Sequence, residues 1–403
     1  MRIGIYGGTF DPPHIGHMEA ARTTMEALGL DQLLLIPAAL PPHKQLPPRA
    51  ASAEERLTMT ALMADGLGLR TGRGNVVKAD GMELARAGKS YTSDTLRQLH
   101  EQIPDGEFWL LMGADMLFTL PSWHESEVIA KLAGIAAFAR SKSDTGTVLE
   151  EQARRLRADF GANVQVITLP KVIDLSSTHL RTLLQDGGGA DLLWPPVYGY
   201  ILMHGLYDTH ADLTRLTDEQ LRACSWSMIY AKRIPHVKGT EEEAVRLAKR
   251  WGADPELARR AGILHDCTKY FTLDEQLKLC DKYGIVLDDL EKKAVKLLHS
   301  KTGAEIARHV FGVCDEIHDA IYWHTTGKAN MTTLEKVLYL ADYIEPSRSD
   351  FEGLARLRKL SYEDLDAALL LGCELTIRDM EERGMPVHIN TMRARDWLKG
   401  QSR

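Results

Sequence analysis

The amino-acid sequence predicts two domains of different class: an α/β domain with a mostly parallel sheet and helices on both faces, followed by an all-helical domain. Short apolar runs alternate with helical patterns from Met1 to about residue 205, and such alternation is typical of a parallel sheet. Beyond about residue 208, every strong pattern has the period of a helix. The length of 403 residues also favours more than one domain.

The elements of the first half follow in chain order. The first strand is RIGIYG, and the helix MEAARTTMEALG after it is predicted to end at Gly29. Next come the strand QLLLIPA and the helix SAEERLTMTALMADG, with Ser52 as N-cap and Glu55 completing a capping box. Further strands are predicted at FWLLMGAD, GIAAFAR and VQVITLP.

The boundary between the domains is predicted in the polar, aperiodic stretch LYDTHADLTR. We place the first domain at residues 1–207 and the second at residues 216–403. Within the second, helical patterns run from LTDEQLRACSWSMIYAKR to YEDLDAALLLGCELTIRDMEERG with no strong strand pattern between them.

Composition narrows the class of protein. The net charge of −7 argues against a general nucleic-acid binder, which is usually basic. The five cysteines form no CxxC pair, which favours reduced thiols in a cytoplasmic protein. No apolar run is long enough to span a bilayer and no signal peptide is visible, so we expect no membrane partner. A homo-oligomer is compatible with this composition.

The stretch GIYGGTFDPPHIGH joins the end of the first strand to the following helix. Gly7 and Gly8 carry no Cβ and let the backbone approach a ligand, which in such sheets binds at the carboxyl ends of the strands. His14 and His17 would lie one helical turn apart on one face, where two imidazoles can donate hydrogen bonds to phosphate oxygens. A zinc pair is the weaker alternative, because no third ligand is obvious nearby.

The segment GGTFDPPHIGH resembles the signature of the nucleotidyltransferase family, whose core is HxGH. The resemblance implies a Rossmann-like α/β fold and transfer of AMP from ATP, with Mg²⁺ accompanying the nucleotide. In that family the two histidines stabilise the α-phosphate, and catalysis consists mainly of positioning and electrostatics. Carried over to this sequence, the ATP-binding residues of the segment are Gly7, Gly8, Thr9, Phe10, His14 and His17, of which the two histidines are catalytic.

A second segment, DLSSTHLRTLL, places hydroxyl side chains at the start of a predicted helix and an arginine one turn later. Free N–H groups at a helix N-terminus form an anion site, and arginine offers a planar fork for phosphate. Taken alone, the three hydroxyl residues could simply cap the helix. The segment resembles the SSTxxR motif of the same family, which holds the β- and γ-phosphates. This implies ATP contacts from Ser176, Ser177, Thr178 and a catalytic Arg181.

Three further segments concern the molecule that accepts AMP. IPAALPPHK, SYTSDTL and GADMLFTLPSWHE resemble segments of bacterial nicotinate mononucleotide adenylyltransferases. In that family the aromatic of LPxW stacks on the pyridine ring, the threonine of YTxDT lies beside the nicotinate carboxylate, and the aspartate of GAD reaches ribose. The resemblance assigns these roles to Trp123, Thr92 and Asp115, and places Lys44 in the acceptor site and in catalysis. A pantetheine-phosphate transferase shares HxGH but needs no stacking aromatic here.

Side chains able to bind metals recur along the helical half. His265 and Asp266 follow an apolar run in AGILHDCTK, with Lys269 one turn on. The other candidates are His236, His299, His324 and Asp342. A histidine or aspartate facing a core is costly to bury without a partner, and a metal ion is one such partner. A hydrogen-bonded core residue is the alternative for each of them taken singly.

The ordered set H…HD…H…H…D resembles the HD phosphohydrolase superfamily. The phrases AGILHDCTK, LLHSKTGA, HTTGK and LADYIEPSR resemble its symmetrical diadenosine tetraphosphatase branch. The metal ligands that the resemblance implies are His236, His265, Asp266, His299, His324 and Asp342. It further implies two transition-metal ions, iron or manganese, that activate the water attacking phosphorus.

The same resemblance implies roles for two cations and shows one departure. Lys269 and Arg348 would hold phosphate oxygens, and Asp266 and Lys269 would take part in catalysis. Pro235 departs from the family pattern, in which a continuous helix is usual before the first histidine ligand.

A second His-Asp pair, His318-Asp319, lies in IHDAIYWH. On one helix His318 and His324 would point about 240° apart, so both cannot easily serve one metal. We assign His324 to the metal centre and expect His318 on the surface.

These observations together predict a bifunctional enzyme. The first domain would make nicotinate adenine dinucleotide and pyrophosphate from ATP and nicotinate mononucleotide in NAD biosynthesis. The second would hydrolyse a dinucleoside polyphosphate, diadenosine tetraphosphate, symmetrically to ADP. Two alternatives stay open for the second domain: another substrate, such as a nucleotide monophosphate or a guanosine polyphosphate, or a non-catalytic metal-binding or regulatory module. The complete ligand set argues against the module.

Overall fold

The computed structural model describes residues 1–41, 46–72, 76–86, 88–141 and 143–401. The chain divides into two compact units, Met1–His210 and Ala211–Arg403. Lys44, assigned above to the acceptor site, lies outside the described residues. Over the described ranges, none of the helices combines the length and the apolar character needed to cross a bilayer.

The first unit is built on six parallel strands in the order β3-β2-β1-β4-β5-β6. The strands are β1 (Arg2–Gly8), β2 (Gln32–Pro37), β3 (Val77–Ala79), β4 (Glu107–Gly113), β5 (Gly134–Phe138) and β6 (Val164–Ile167). The helices are α1 (Ile15–Leu28), α2 (Ala53–Thr71), α3 (Thr92–Gln102), α4 (Ala114–Thr119), α5 (Ser126–Leu132), α6 (Gly146–Phe160), α7 (Ser177–Gln185) and α8 (Pro195–His204). This is the strand order of a Rossmann-like sheet, so the predicted α/β class is confirmed.

Local sequence signals set several of these boundaries. Helix α1 ends at Gly29, whose φ of 59° is in the left-handed region that glycine adopts at low cost. Ser52 caps α2, and Glu55 completes the predicted capping box. Strand β3 was not predicted, because three residues are too few to show an alternating pattern.

The register of the sheet brings several strand ends to one edge. Gly8, the last residue of β1, pairs with Pro37 at the end of β2, and Gly113 of β4 pairs with Phe138 of β5. The order of the strands reverses between β1 and β4. Ligands of such sheets bind at this point, outside the carboxyl ends of the strands. The edge therefore holds the residues that follow β1, β4 and β5.

The second unit is helical, and its described residues form no strand. Its helices are α9 (Asp218–Ser227), α10 (Ile234–Trp251), α11 (Pro255–Leu264), α12 (Leu273–Tyr283), α13 (Val295–His309), α14 (Asp315–Trp323), α15 (Thr333–Ile344), α16 (Leu354–Glu363), α17 (Leu365–Glu382) and α18 (Ile389–Gln401). Helices α11 and α15 both pack on α10. A Cβ on Gly262 of α11 would lie 2.7 Å from the Cα of Glu241 on α10, so glycine permits this close approach.

Candidate active sites

The two histidines of HxGH form the N-terminal cap of α1. His14 is the N-cap residue, and its Nδ1 accepts a hydrogen bond from the Gly16 N–H at 3.2 Å. The Nδ1 of His17 accepts one from the His14 N–H, also at 3.2 Å. Because Nδ1 of each ring accepts a hydrogen bond, a neutral imidazole must carry its proton on Nε2. Both side chains are thereby held as Nε2–H donors.

Burial keeps these two imidazoles neutral. Desolvation, with a further contribution from the Arg140 charge, lowers the pKa of His14 from 6.5 to about 3. Burial also lowers the pKa of His17 well below its ordinary value, with His14 and Arg140 adding to the effect. The ring centroids are 3.8 Å apart, and His14 Nε2 has no hydrogen-bond partner among the described residues. The pair therefore offers two neutral donors at the end of β1.

Gly16 has a steric role between the two histidines. A Cβ at this position would lie 3.0 Å from both Cε1 and Nδ1 of the His14 ring. Any larger residue would push the ring away from the N–H group that it caps, so the spacing HxGH needs its glycine.

The lowered pKa of His14 has a consequence for stability. The folded-state pKa of about 3 lies below the ordinary 6.5, so the stabilisation present above pH 6.5 is lost as the pH falls toward 3. We expect the variant His14→Asn, which keeps an N-cap acceptor but cannot titrate, to lose about 2 kcal/mol less than wild type between pH 7 and pH 5. Thermal melting at the two pH values measures this, and equal losses in both proteins would contradict it.

A groove of about 520 Å³ lies beside His17 at the carboxyl edge of the sheet. Its walls include the ATP-binding candidates Gly7, Gly8, Thr9, Phe10, His17, Ser176, Ser177 and Thr178. Ser176 caps α7 and accepts a hydrogen bond from the His179 N–H at 3.2 Å, so the first N–H groups of α7 lie at this groove. His14 lines a small adjoining cavity together with His17.

Arg181 does not line this groove. Its Nη1 donates to the main-chain oxygen of Asp11 at 2.6 Å, and its Nη2 donates to Thr178 Oγ1 at 3.1 Å. It lines a neighbouring cavity with Thr178. Its predicted contact with phosphate therefore stays a prediction.

Arg140, which sequence reasoning missed, borders the groove. It lies two residues after the end of β5, and its Nη1 is 3.1 Å from Asp115 Oδ2. Its charge also acts on both HxGH histidines. An arginine close to the carboxyl end of a parallel strand, as in GIAAFAR, was a signal that could have identified it.

A cavity of about 180 Å³ shares Gly7, Gly8 and Thr9 with the groove. Thr92 and Trp123, which the sequence predicts to bind the acceptor, both line it. Thr92 is the first residue of α3, where main-chain N–H groups have no partner within the helix and attract a carboxylate. Asp115 lines the larger groove and not this cavity. Glu83, also in the lining, was not predicted; its side chain is buried and accepts a hydrogen bond from Thr95 Oγ1 at 2.6 Å.

In the helical unit, the structure brings together all six predicted metal ligands. Two groups of three form around one carboxylate: His236, His265 and Asp266 in the first, and Asp266, His299 and His324 in the second. In each group the candidate ligand atoms lie within 4.8 Å of one another. Asp342 joins the first group, with Oδ1 at 3.0 Å from His236 Nε2.

Three of the histidines are oriented by main-chain oxygens. The Nδ1 atoms of His265, His299 and His324 lie 2.6–2.7 Å from the carbonyl oxygen three residues earlier in each case. An Nδ1–H that donates to this oxygen leaves Nε2 with a lone pair facing the cluster. Burial, the largest effect, lowers the pKa of each ring to about 4. Neutral imidazoles with inward lone pairs are the form that binds metals.

Asp266 lies between the two groups. Its Oδ1 is 3.2 Å from His299 Nε2 and 3.5 Å from Lys269 Nζ. Its Oδ2 is 3.7 Å from His236 Nε2. Burial favours the neutral acid, but His265, Lys269 and His299 hold the pKa of this carboxyl well below its ordinary value. An ionised carboxylate among converging imidazole nitrogens is a donor set that fits metal ions.

Glu345, which sequence reasoning missed, orients the remaining histidine. Its Oε1 lies 2.9 Å from His236 Nδ1 and it is buried. Carboxylates behind a ligating histidine set its tautomer. Pro235 does not disturb this arrangement, because α10 begins at Ile234 and proline is tolerated in a first helical turn.

Cationic side chains surround the cluster. Lys269 Nζ lies 3.0 Å from His299 Nε2, and Arg348 Nη2 is 2.8 Å from Asp342 Oδ1. Arg233, which was not predicted, donates from Nε to Asp266 Oδ2 at 2.7 Å. Its position three residues before His236 was the available signal. Arg233 and Arg348 also border a cleft of about 820 Å³ whose lining includes His236 and aromatic rings.

One expectation in this unit is wrong. His318 is not on the surface: it is buried, with Nε2 at 3.2 Å from Glu305 Oε1 and Nδ1 at 2.9 Å from Asp319 Oδ1. A carboxylate at each ring nitrogen gives the buried imidazole its hydrogen-bond partners and so offsets the cost of burying it. His318 belongs to neither group around Asp266, whereas His324 belongs to the second.

A third group that could suit a cation, Asp288, Glu291 and His388, is arranged differently. The Lys301 ammonium already lies 2.6 Å from Glu291 Oε1. His388 Nδ1 accepts the Asn390 N–H, so a neutral ring carries its proton on Nε2, toward the carboxylates. This group is an ion-pair cluster at the start of α18.

Two family models match separate parts of the chain. A family model described as cytidylyltransferase-like matches residues 5–183, and one for the HD domain matches residues 233–347. The probable nicotinate-nucleotide adenylyltransferase of Listeria monocytogenes is 32% identical over 206 residues, which are 51% of this chain and 97% of that protein. That of Exiguobacterium sibiricum is 37% identical over 211 residues, 52% of this chain and 100% of the relative.

Among solved structures, a predicted HD superfamily hydrolase involved in NAD metabolism from Clostridium acetobutylicum has 37% sequence identity. The match covers 46% of this chain and 98% of that one, with a TM-score of 0.45. From the curated relatives and the two family models, the chain belongs to the nicotinate-nucleotide adenylyltransferase family through its N-terminal half and carries an HD domain in its C-terminal half.

Proposed function

We propose that the first unit transfers AMP from ATP to nicotinate mononucleotide, giving nicotinate adenine dinucleotide and pyrophosphate in NAD biosynthesis. The observation that carries this proposal is the pair of neutral Nε2–H donors, His14 and His17, next to a groove that adjoins an aromatic cavity. The names of the curated relatives support the choice of substrate.

The reaction is an in-line displacement at the α-phosphorus of ATP. A phosphate oxygen of nicotinate mononucleotide forms the new P–O bond, and the bond to the β-phosphate oxygen breaks to release pyrophosphate. Negative charge grows on the α-phosphate oxygens in the transition state, where His14 and His17 donate hydrogen bonds. When bound with ATP, Mg²⁺ would neutralise phosphate charge. The N–H groups at the start of α7, with Ser177 and Thr178, bind the β- and γ-phosphates.

The acceptor binds in the smaller cavity. Trp123 offers a flat aromatic face for the pyridine ring, and the N-terminus of α3 at Thr92 binds the carboxylate of nicotinate. Asp115 in the adjoining groove accepts hydrogen bonds from ribose hydroxyls.

This pocket predicts discrimination between acceptors. The amide of nicotinamide mononucleotide carries no charge and leaves the N–H groups at Thr92 poorly paired, so we expect kcat/KM to be at least about 100-fold higher with nicotinate mononucleotide. Steady-state kinetics with both acceptors at saturating ATP measures the ratio. Equal values would contradict the carboxylate pocket, and no transfer to either would contradict the proposed function.

The second unit is proposed to hydrolyse diadenosine tetraphosphate to ADP. Its support is the placement of Asp266 between two histidine groups, which suits two clustered transition-metal ions, iron or manganese. Such ions, when bound by the six residues, supply an activated water and polarise phosphoryl oxygens. The cleft beside them, about 820 Å³ with Tyr270, Tyr343 and Phe351 in its lining, has room and aromatic faces for nucleotide groups.

The protein's own groups hold the polyphosphate. Arg233 and Arg348 border the cleft, and Lys269 lies at the metal ligands, so these cations bind phosphate oxygens on either side of the reacting phosphorus. In symmetrical cleavage, water adds at one of the two central phosphorus atoms and the central P–O–P linkage breaks. Each half then leaves as ADP.

A further inference from the structure

Tyr207 connects the end of the first unit to the segment that carries the two histidines. Its hydroxyl donates a hydrogen bond to Asp11 Oδ1 at 2.8 Å, although the residues are 196 positions apart. Both side chains are buried, with 4% exposure for Tyr207 and 2% for Asp11. A hydrogen bond between two such buried groups is weakly screened and directional.

Asp11 also contacts Arg181, which bonds Thr178 in the lining of the groove of about 520 Å³. Its Oδ1 also accepts the Ala51 N–H at 3.1 Å, and its Oδ2 lies 3.3 Å from Arg181 Nη1. The same Nη1 donates to the Asp11 main-chain oxygen at 2.6 Å, while Arg181 Nη2 donates to Thr178 Oγ1 at 3.1 Å. Thr178 lines the groove. A continuous chain of hydrogen bonds therefore runs from Tyr207 through Asp11 and Arg181 to a residue of the ATP site.

The backbone around Tyr207 is strained. Tyr207 has φ of 58° and Asp208 has φ of 60°, both in the left-handed region that non-glycine residues rarely adopt. Such conformations persist only where surrounding contacts hold them, and they cluster at functional sites. Here Arg49 and Gln185 both bind the Asp208 carboxylate, the latter at 3.0 Å. The bond of its hydroxyl to Asp11 and the contacts of the next residue, Asp208, thus fix the direction of the Tyr207 side chain.

We propose that Tyr207 is a positioning residue for the ATP phosphates, acting through Asp11 on Arg181 and Thr178; this inference rests on the proposed adenylyl transfer. Without the hydroxyl, Asp11 Oδ1 keeps only the Ala51 N–H as a hydrogen-bond donor. The carboxylate then gains freedom to rotate, and the Arg181 guanidinium loses its fixed geometry. The cavity of Trp123 and Thr92 takes no part in this chain of contacts, so the effect falls on ATP and not on the acceptor.

The test is Tyr207→Phe in the full chain, which removes only the hydroxyl. We expect the KM for ATP to rise about tenfold, as for one lost buried hydrogen bond, with kcat and the KM for nicotinate mononucleotide unchanged within about twofold. The matched control is Tyr200→Phe, seven positions earlier, whose ring lies 4.1 Å from the His204 ring on the same helix. We expect the control to retain wild-type constants for both substrates.

A merely structural role for Tyr207 gives a different pattern. It would lower the active fraction, and hence kcat, with both KM values unchanged, and that result would overturn the inference. The second variant Asp11→Asn keeps the acceptor for Tyr207 but turns an NH₂ group toward Arg181, so it should show the same ATP-selective loss. The double variant should lose little more than either single one, whereas additive losses would contradict a shared pathway.

Assays of the wild-type protein distinguish a failure of the proposed adenylyl transfer from a failure of the role proposed for Tyr207. A wild type that transfers no AMP would refute adenylyl transfer and the inference with it. An active wild type with a Tyr207→Phe variant that matches Tyr200→Phe would refute the inference alone. Near-UV circular dichroism and melting of each variant confirm that folded proteins are compared.

Discussion

Asp266→Ala is expected to lower the rate of diadenosine tetraphosphate hydrolysis about 10³-fold or more, while the rate of adenylyl transfer stays within about twofold of wild type. Asp266 is the residue that the two histidine groups share, so its loss removes a ligand from both. The candidate residues for adenylyl transfer, Tyr207 included, all lie in the other unit, Met1–His210. Elemental analysis should show metal lost from the variant, and both activities are measured on the same preparation.

The second His-Asp pair offers a matched control. Asp319, like Asp266, directly follows a histidine in the chain. It bonds this residue, His318, at 2.9 Å and belongs to neither histidine group. Asp319→Ala should keep wild-type metal content and hydrolysis. Because metal-binding energy is partly folding energy, helicity and melting of both variants are needed beside the activities.

Each outcome bears on a different part of the proposal. A folded Asp266→Ala protein with near wild-type hydrolysis would contradict the metal centre, and one that loses both activities would show that the units are coupled. A wild type that cleaves a nucleotide monophosphate or a guanosine polyphosphate but not diadenosine tetraphosphate would make the substrate assignment wrong. A metal-loaded wild type that cleaves none of the three would favour a regulatory module.

His17→Ala is expected to lower kcat for adenylyl transfer by about 10²–10³-fold, with a much smaller rise in the KM for ATP. His17 lines the groove, and its Nδ1 accepts the His14 N–H at 3.2 Å, so the neutral ring carries its proton on Nε2. A donor that is fixed before the reaction strengthens its bond as charge develops on the α-phosphate, so its removal raises the barrier more than it weakens binding. Steady-state kinetics with varied ATP separates the two constants.

His100→Ala controls for the loss of a packed histidine in the same unit. His100 Nε2 lies 2.8 Å from the Leu132 oxygen and its ring packs on Phe108, so its removal should lower stability without a large effect on kcat. A His17→Ala effect confined to KM would make His17 a binding residue. Equal kcat losses in both variants would indicate general damage to the fold.

Much of the architecture could be predicted because its signals are local. Glycine at residue 29 and the Ser52–Glu55 capping box mark helix ends through contacts within a few residues, and both predictions are confirmed. The five longer strands show up as apolar runs, whereas three-residue β3 is held mainly by pairing with β2. The all-helical second unit follows from its periodicity in the same way.

The sequence by itself determined which residue types stand at the two candidate sites, since HxGH, SSTxxR and the set H…HD…H…H…D are each read from the order of residues along the chain. The tertiary structure decided how those residues are used. It oriented the rings of His265, His299 and His324 through main-chain oxygens, placed Asp266 between two groups, and turned Arg181 toward Asp11.

The same reason explains the residues that sequence reasoning missed or misplaced. Arg140, Glu345 and Tyr207 act through partners 25, 109 and 196 positions away, and His318 is buried by a carboxylate 13 positions away. Hydrogen bonds and burial between such distant segments arise only when helices and strands pack. A local pattern such as GIAAFAR can mark Arg140, but it does not identify the distant partner. The sequence therefore determined the chemistry available at each site, and packing decided its geometry.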